Sequence, residues 1–256
     1  MIILGSGNMA TNLAHAYHKA GVRIDGIYSY TLAHAEVLAA QVGVEQVTAD
    51  LAEVNAWLRR LPNTTVLYCV KDSVLPDVLA RIDAPEALHL HTAGSMGVEV
   101  FGADKPHAGV LYPFQTLSKD RILPFDNLPV FVEAAQEADL PAIRALAERI
   151  SGKVYPADSD TRRRLHVAGV FANNFTNCMY AIAGEVLRPT GLPEDVLLSL
   201  IDETAAKVHS IPPREAQTGP AKRYDENVMQ AHLALLDDPN VQEIYRAVSK
   251  NIHVHA

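Results

Sequence analysis

MIILGSGNMATNLAHAYHKAG, residues Met1 to Gly21, decides how the rest of the chain is read. Ile2, Ile3 and Leu4 run directly into Gly5-Ser6-Gly7-Asn8-Met9-Ala10. A run of helical period follows through Leu13, Ala14, Tyr17 and Ala20 and stops at Gly21. Strand, glycine turn and helix, in that order, form the setting that a dinucleotide-binding turn requires. Gly5 lets the chain bend sharply out of the strand, and Gly7 has no side chain to block a pyrophosphate. Ala10 is small enough for the helix to pack close on the strand. The unpaired N–H groups and positive dipole end of the helix then face phosphate oxygens.

Composition narrows the rest. A chain of 256 residues is one large domain or two small ones, with 48% hydrophobic and 20% charged residues, as in ordinary globular proteins. A net charge of −8 argues against general affinity for nucleic acid or an anionic membrane. No apolar run approaches the roughly 20 residues that span a bilayer, and no basic segment precedes the first strand as in a signal peptide. Cys69 and Cys178 show no C-x-x-C spacing, so both are expected to be reduced, buried thiols in a cytoplasmic protein.

Outward from the glycine turn, Val22 to Tyr30 reads as a second strand, followed by a helix through Val37 and Leu38. The end of this strand bears on the cofactor. An NAD site places an acid there for the ribose 2′-hydroxyl, and an acid repels a 2′-phosphate. Here the strand ends Ser29-Tyr30-Thr31, with hydroxyls and no acid, while Asp25 falls at the strand's start. NADP is therefore expected over NAD, although no Arg stands at the expected place. Thr65 to Val70 is a nearly continuous apolar run, typical of a parallel strand covered on both faces. It leads into Lys71-Asp72-Ser73, so Val70, Lys71 and Asp72 are expected beside the cofactor. Strands at Ala87–His91, Gly109–Tyr112, Pro129–Glu133 and Lys153–Tyr155 continue the alternation with helices. This spacing predicts an α/β fold with a doubly wound parallel sheet. From Asp158 the pattern is helical to the end. A long helix capped by Asp158 or Ser159 is expected to reach about Leu187, with others over 193–209, from Thr218 through Leu236, and over 239–252. The predicted domains are residues 1–156, a dinucleotide-binding domain, and 157–256, a helical substrate and dimerisation domain.

GSGNMA at Gly5 to Ala10 resembles the phosphate loop of pyrroline-carboxylate reductases and of deazaflavin-dependent NADP oxidoreductases. HTAGS (His91–Ser95), YPFQTLS (Tyr112–Ser118), LHVAGVFANNFTN (Leu165–Asn177) and TGPAKRYD (Thr218–Asp225) are more specific. Together they resemble a bacterial family of Rossmann-like proteins with an uncharacterised C-terminal helical domain, described as candidate NADP-dependent oxidoreductases. The match covers essentially the whole chain. It implies a C-terminal domain like that of phosphogluconate dehydrogenase, whose long helices commonly build a homodimer, and it implies no particular substrate.

Hydride transfer needs the nicotinamide against a carbonyl or imine, and a group to protonate the product atom. Ligands of doubly wound sheets lie beyond the carboxyl ends of the strands. Thr92 and Gly94 are expected at the cofactor there, and Ser95, Gln115 and Thr116 at the substrate. On the long helix His166, Val170, Asn173 and Asn177 recur at helical spacing and are expected to share a face. Related dehydrogenases place a Lys and an Asn on the equivalent helix; with no Lys here, the proton donor is expected to be His166 or a water held by Asn173. Asn177 and Arg223 are expected to contact an anionic substrate. Arg162, Arg163 and Arg164 read as a solvated first turn. His89, His91 and His107 lack a convincing ligand set, so no metal is expected. The expectation is an NADP-dependent oxidoreductase of a small, anionic carbonyl or imine compound. The alternatives are a non-catalytic dinucleotide-binding sensor or partner protein, and a pyrroline-carboxylate reductase, which the C-terminal motifs disfavour.

Overall fold

A computed structural model describes residues 1–255. The strands are β1 (Ile2–Leu4), β2 (Gly26–Tyr28), β3 (Val47–Thr48), β4 (Thr65–Tyr68), β5 (Leu88–His91), β6 (Ala108–Pro113), β7 (Val130–Ala134) and β8 (Val154–Pro156). They form one sheet in the order β3-β2-β1-β4-β5-β6-β7-β8. β1 lies at the point where the strand order reverses, which places the glycine turn at the crevice of the sheet.

Pairing is parallel except between β6 and β7. The sheet is thus mostly parallel, and the exception to the expectation has a simple cause. A parallel neighbour needs a crossover, usually a helix, and residues 114–129 contain none. The chain therefore turns back directly, pairing Pro113 with Val130.

Side chains on alternate sides of each strand build two cores. Ile3, Ile27, Leu67, Leu90 and Leu111 face one way, against the helices α1 (Asn8–Lys19) and α2 (Leu32–Val42) and the helix over Leu140–Glu148, α5 in chain order. Ile2, Leu4, Val66 and Tyr68 face the other, against α3 (Leu51–Leu58) and α4 (Leu75–Arg81). Asp50 caps α3 by accepting the Ala52 N–H, and Asp158 caps α6 (Ser159–Gly169) by accepting that of Thr161.

The long helix expected from Ser159 to Leu187 is not uniform. Between α6 and α7 (Thr176–Leu187), residues Val170–Phe175 are π-helical. A π segment turns through more than 3.6 residues, so the spacing that placed His166, Asn173 and Asn177 on one face does not carry through it. Downstream the helices are α8 (Leu198–Lys207), α9 (Pro213–Ala216), α10 (Pro220–Arg223), α11 (Glu226–Leu233) and α12 (Pro239–His255). The run expected from Thr218 through Leu236 is broken at Tyr224, whose φ of 52° ends α10, and Asp225 caps α11.

Contacts divide the chain into two compact units, Met1–Asn173 and Asn174 onward. The last strand ends at Pro156, but Arg162 ties α6 to the sheet through Glu133. In the second unit Ala221 and Leu233 are the buried hydrophobic side chains among the described residues. Cys69 is buried as expected; Cys178 is exposed, contrary to expectation, on α7, where Gly184 is the buried residue. Among the described residues no helix is long and apolar enough to cross a membrane.

Candidate functional site

The glycine turn has the geometry of an anion cradle. Gly5 has φ +126°, and a Cβ there would lie 2.3 Å from the Cys69 carbonyl oxygen. Only glycine fits where β1 and the end of β4 come this close. Gly7 is the extended N-cap of α1, with no side-chain cap and no acid in the first turn. A Cβ on Gly7 would meet nothing within 4 Å, so the first amides of the helix face open space, the arrangement that suits a pyrophosphate. Asn8 is exposed, Met9 half-buried and Ala10 fully buried against the core.

At the end of β2 the three predicted residues part company. Ser29 is buried, its hydroxyl 2.7 Å from that of Ser6, which ties the turn to β2. Tyr30 is 91% exposed, and Thr31 precedes α2 as its N-cap without using its side chain. Asp25 is paired with Arg23 and the Met1 amino group, away from the strand's end.

Beyond β4 and β5, the Ser95 hydroxyl donates to the Asp72 carboxylate, and Thr92 donates to the Tyr68 carbonyl at 3.3 Å. Val70 is half-buried and Lys71 exposed. Gly94 lies against a pair of rings. The Tyr112 hydroxyl is 3.2 Å from His166 Nδ1, and a Cβ on Gly94 would come within 2.7 Å of that nitrogen and 2.8 Å of that hydroxyl. Burial raises the Tyr112 pKa, so at neutral pH the phenol keeps its proton beside His166 Nδ1. The His166 ring itself is exposed. Gln115 and Thr116 are exposed too, the Gln115 side chain accepting the Thr116 N–H.

Arg162 overturns the expectation of a solvated first turn. It is 1% exposed; its guanidinium donates to Glu133, to the Met96 carbonyl and, at 3.3 Å, to the Ala93 carbonyl. Glu133 also accepts from Ser159 Oγ at 2.9 Å. Arg163 pairs at the surface with Asp160 and Glu99, and Arg164 is exposed. The sequence held no signal to separate Arg162 from its neighbours, because the acid it meets lies on β7. Tyr112 was missed for a similar reason: it reads as one more apolar strand residue.

His89 and His91 belong to the sheet's interior. His89 accepts a hydrogen bond from the Tyr68 hydroxyl on Nδ1 and donates from Nε2 to the Ala84 carbonyl. His91 accepts the Ala93 N–H on Nδ1 and stacks on Phe101. Its Nε2 is buried without a hydrogen-bond partner among the described residues; the Gly97 backbone favours the charged ring but stands outside bonding geometry. Burial pulls the two pKa values down from 6.5, to about 4 for His89 and about 3 for His91. Well above pH 6.5 both rings are neutral folded or unfolded, and their contribution is complete. As pH falls below that, the unfolded chain binds protons the folded chain refuses, and stability is lost down to the folded values. Denaturant unfolding is expected to give a stability roughly 1 kcal/mol lower at pH 6 than at pH 7 from this pair. No such decline would mean that both rings bind protons as readily folded as unfolded. Among the described residues no group of His, Cys, Asp or Glu is placed to hold a metal.

Asn173 is half-buried in the π-helical segment. Asn177 on α7 and Arg223 at the end of α10 are exposed and belong to the second compact unit.

The fold and the turn define a class: proteins with a dinucleotide-type α/β sheet followed by a helical region. Comparison with known proteins narrows it. Residues 128–252 match a family model described as a domain of unknown function, DUF2520. Over 99% of this chain and 97% of the other, the structure is similar to "putative NADP oxidoreductase BF3122 from Bacteroides fragilis", at 46% identity and a TM-score of 0.91. The chain belongs to the family of that protein. Protein TM1727 from Thermotoga maritima shares the fold at 22% identity and a TM-score of 0.72, over 100% of this chain and 97% of its own. So does a reductive aminase from Aspergillus terreus, solved with NADPH and ethyl-5-oxohexanoate, at 15% identity and a TM-score of 0.71, over 100% and 95%. No curated protein matches the chain.

Proposed function

We propose that this protein is an NADP-dependent oxidoreductase acting on a small, anionic carbonyl or imine compound. The observation that carries the reading is the open helix start at Gly7, in a chain 46% identical to a protein described as an NADP oxidoreductase. Gly5 to Ala10 hold the pyrophosphate, and Tyr30 and Thr31 flank the 2′-phosphate at a strand end without an acid. Ser29 acts there by fixing the turn through Ser6. Val70, Lys71, Asp72, Thr92 and Gly94 line the nicotinamide half.

The bound cofactor supplies a hydride to the carbonyl or imine carbon. The chain's own part is to hold the substrate and provide the proton. His166 delivers that proton from Nε2 when its ring is charged; Nδ1–H then donates to the Tyr112 oxygen, which keeps the ring's orientation. Ser95, Gln115 and Thr116 are assigned to the substrate, with Asn173, Asn177 and Arg223 as further assignments. On whichever compound of an oxo-acid and cyclic-imine panel is reduced, His166→Ala is expected to lower kcat by about 10²–10⁴-fold. Unchanged turnover would remove His166 from the mechanism. NADPH binding with no turnover across the panel would favour the sensor reading, which the absence of a Lys on α6 motivates.

The helical part is assigned to homodimerisation. Leu198, Leu200, Leu235 and Val248 are exposed, and Leu235, Leu236, Ile244 and Val248 line a groove of about 930 Å³ within the second unit. A monomeric soluble protein rarely leaves so much apolar surface open. Sedimentation is expected to show a dimer for the wild type and a shift to monomer for Leu235→Glu; a monomeric wild type would end this assignment. Two unpaired cysteines fit a reducing, cytoplasmic location.

A further inference from the structure

Asn12 is polar, fully buried, and sits in the second turn of the helix that begins at the glycine turn. Its side chain joins that helix to the segment that follows β6, with both Nδ2 hydrogens donated and Oδ1 accepting. Nδ2 donates to the Asn8 carbonyl at 2.9 Å and to the Ser118 carbonyl at 2.8 Å. Oδ1 accepts the Leu123 N–H at 3.2 Å. One amide nitrogen donating both hydrogens brings its two acceptors to within about 5 Å of each other. Ser118 is thereby held beside Asn8, the first residue of α1. Leu117 and Phe125 pack into the core on that face of the sheet, so the segment is fixed at both ends while residues 118–122 are exposed.

Lys119 and Arg121 stand in that exposed turn. Among the described residues neither forms an ion pair, and with Asp120 between them the turn carries a net +1. A buried amide holding this loop to α1, 106 residues away in sequence for Ser118, is more than loop closure needs, since Leu117 and Phe125 already anchor it. What the amide adds is position: it holds the Ser118 carbonyl beside that of Asn8, one residue before Lys119 and three before Arg121 in the chain.

We propose that residues 115–123 form a strap fixed to α1 by Asn12, and that Lys119 and Arg121 on it bind the pyrophosphate of the dinucleotide seated at Gly5 to Ala10. The inference rests on the dinucleotide-binding reading above and adds to it a second, cationic wall. It makes Asn12 a positioning residue: the carboxamide touches the strap and the helix, not the phosphates.

The test is fluorescence titration of the full-length protein with NADPH and with NADH, joined to limited trypsin digestion, because Lys119 and Arg121 are themselves cleavage sites. Lys119→Gln/Arg121→Gln is expected to weaken both dinucleotides about tenfold at low salt and less at high salt. The melting temperature of the free protein should stay unchanged, since both side chains are exposed. NADPH is expected to protect wild type from cleavage after Lys119 and Arg121. Asn12→Ala is expected to be cut faster and to lose that protection. Wild-type affinity in the double variant overturns the proposal, and so does a loss confined to NADPH, which would put the cations at the 2′-phosphate. A wild type that binds neither dinucleotide overturns the cofactor reading itself, a result distinct from either of these.

Discussion

Replacing Arg162 by methionine is expected to lower stability by about 3–5 kcal/mol in denaturant unfolding, the cost of breaking a buried ion pair from one side. Arg162 is 1% exposed and its carboxylate partner Glu133 is largely buried. Without the guanidinium, Glu133 keeps only Ser159 to satisfy a full charge, and the Ala93 and Met96 carbonyls each lose a donor. Lysine is not expected to rescue, because one ammonium cannot reproduce a planar fork that reaches Glu133 and two carbonyls at once. The double change Arg162→Met/Glu133→Met is expected to recover much of the loss by removing the stranded charge. A single variant within about 1 kcal/mol of wild type would show that the pair contributes little. The consequence for the site is direct, because the Ala93–Met96 turn carries Gly94 and Ser95. Loosening it moves the wall against which Tyr112 and His166 rest.

Gly5→Ala is the second large effect. A Cβ at position 5 would stand 2.3 Å from the Cys69 carbonyl oxygen and 2.8 Å from its carbon, on a residue with φ +126°. Both objections concern backbone, which cannot swing aside as a flexible side chain does. Strain of this kind costs about 1–3 kcal/mol before the overlap is counted, so a loss of about 3 kcal/mol or more is expected from thermal or chemical unfolding. Relief requires β1 and β4 to move apart at their carboxyl ends, where the turn begins, so NADPH affinity is expected to fall more than tenfold by titration. Gly7→Ala makes the contrast: its Cβ meets nothing within 4 Å and its φ is −76°. Its stability is expected to stay near wild type, with an effect on NADPH alone. If Gly5→Ala unfolds and binds like Gly7→Ala, the close approach is not what fixes the turn.

Much of this was legible in the chain. The β1–turn–α1 unit needs only local information: an apolar run, a glycine where φ must be positive, and a helical period. The alternation of strands and helices likewise gave the sheet and its two covered faces. Other features were not legible, each for a physical reason. The antiparallel β6–β7 pair follows from residues 114–129 forming no crossover helix, and apolar runs carry no direction. The π-helical segment over Val170–Phe175 hides inside an ordinary helical pattern, and within it the 3.6-residue spacing used to group Asn173 and Asn177 with His166 no longer applies. Arg162 looked like its exposed neighbours because burial is set by what lies opposite.

By itself, the sequence determined the local events: the dinucleotide-type turn at Gly5 to Ala10, the succession of elements, and the absence of an acid at the end of β2. These depend on residues near one another in the chain, where spacing alone fixes the geometry. Only the tertiary structure decided which distant groups meet. It set Tyr112 of β6 against His166 of α6, Arg162 against Glu133 of β7, and Asn12 of α1 against Ser118 and Leu123. A hydrogen bond acts over about 3 Å, so partners far apart in sequence become partners only when the sheet has brought their strands together.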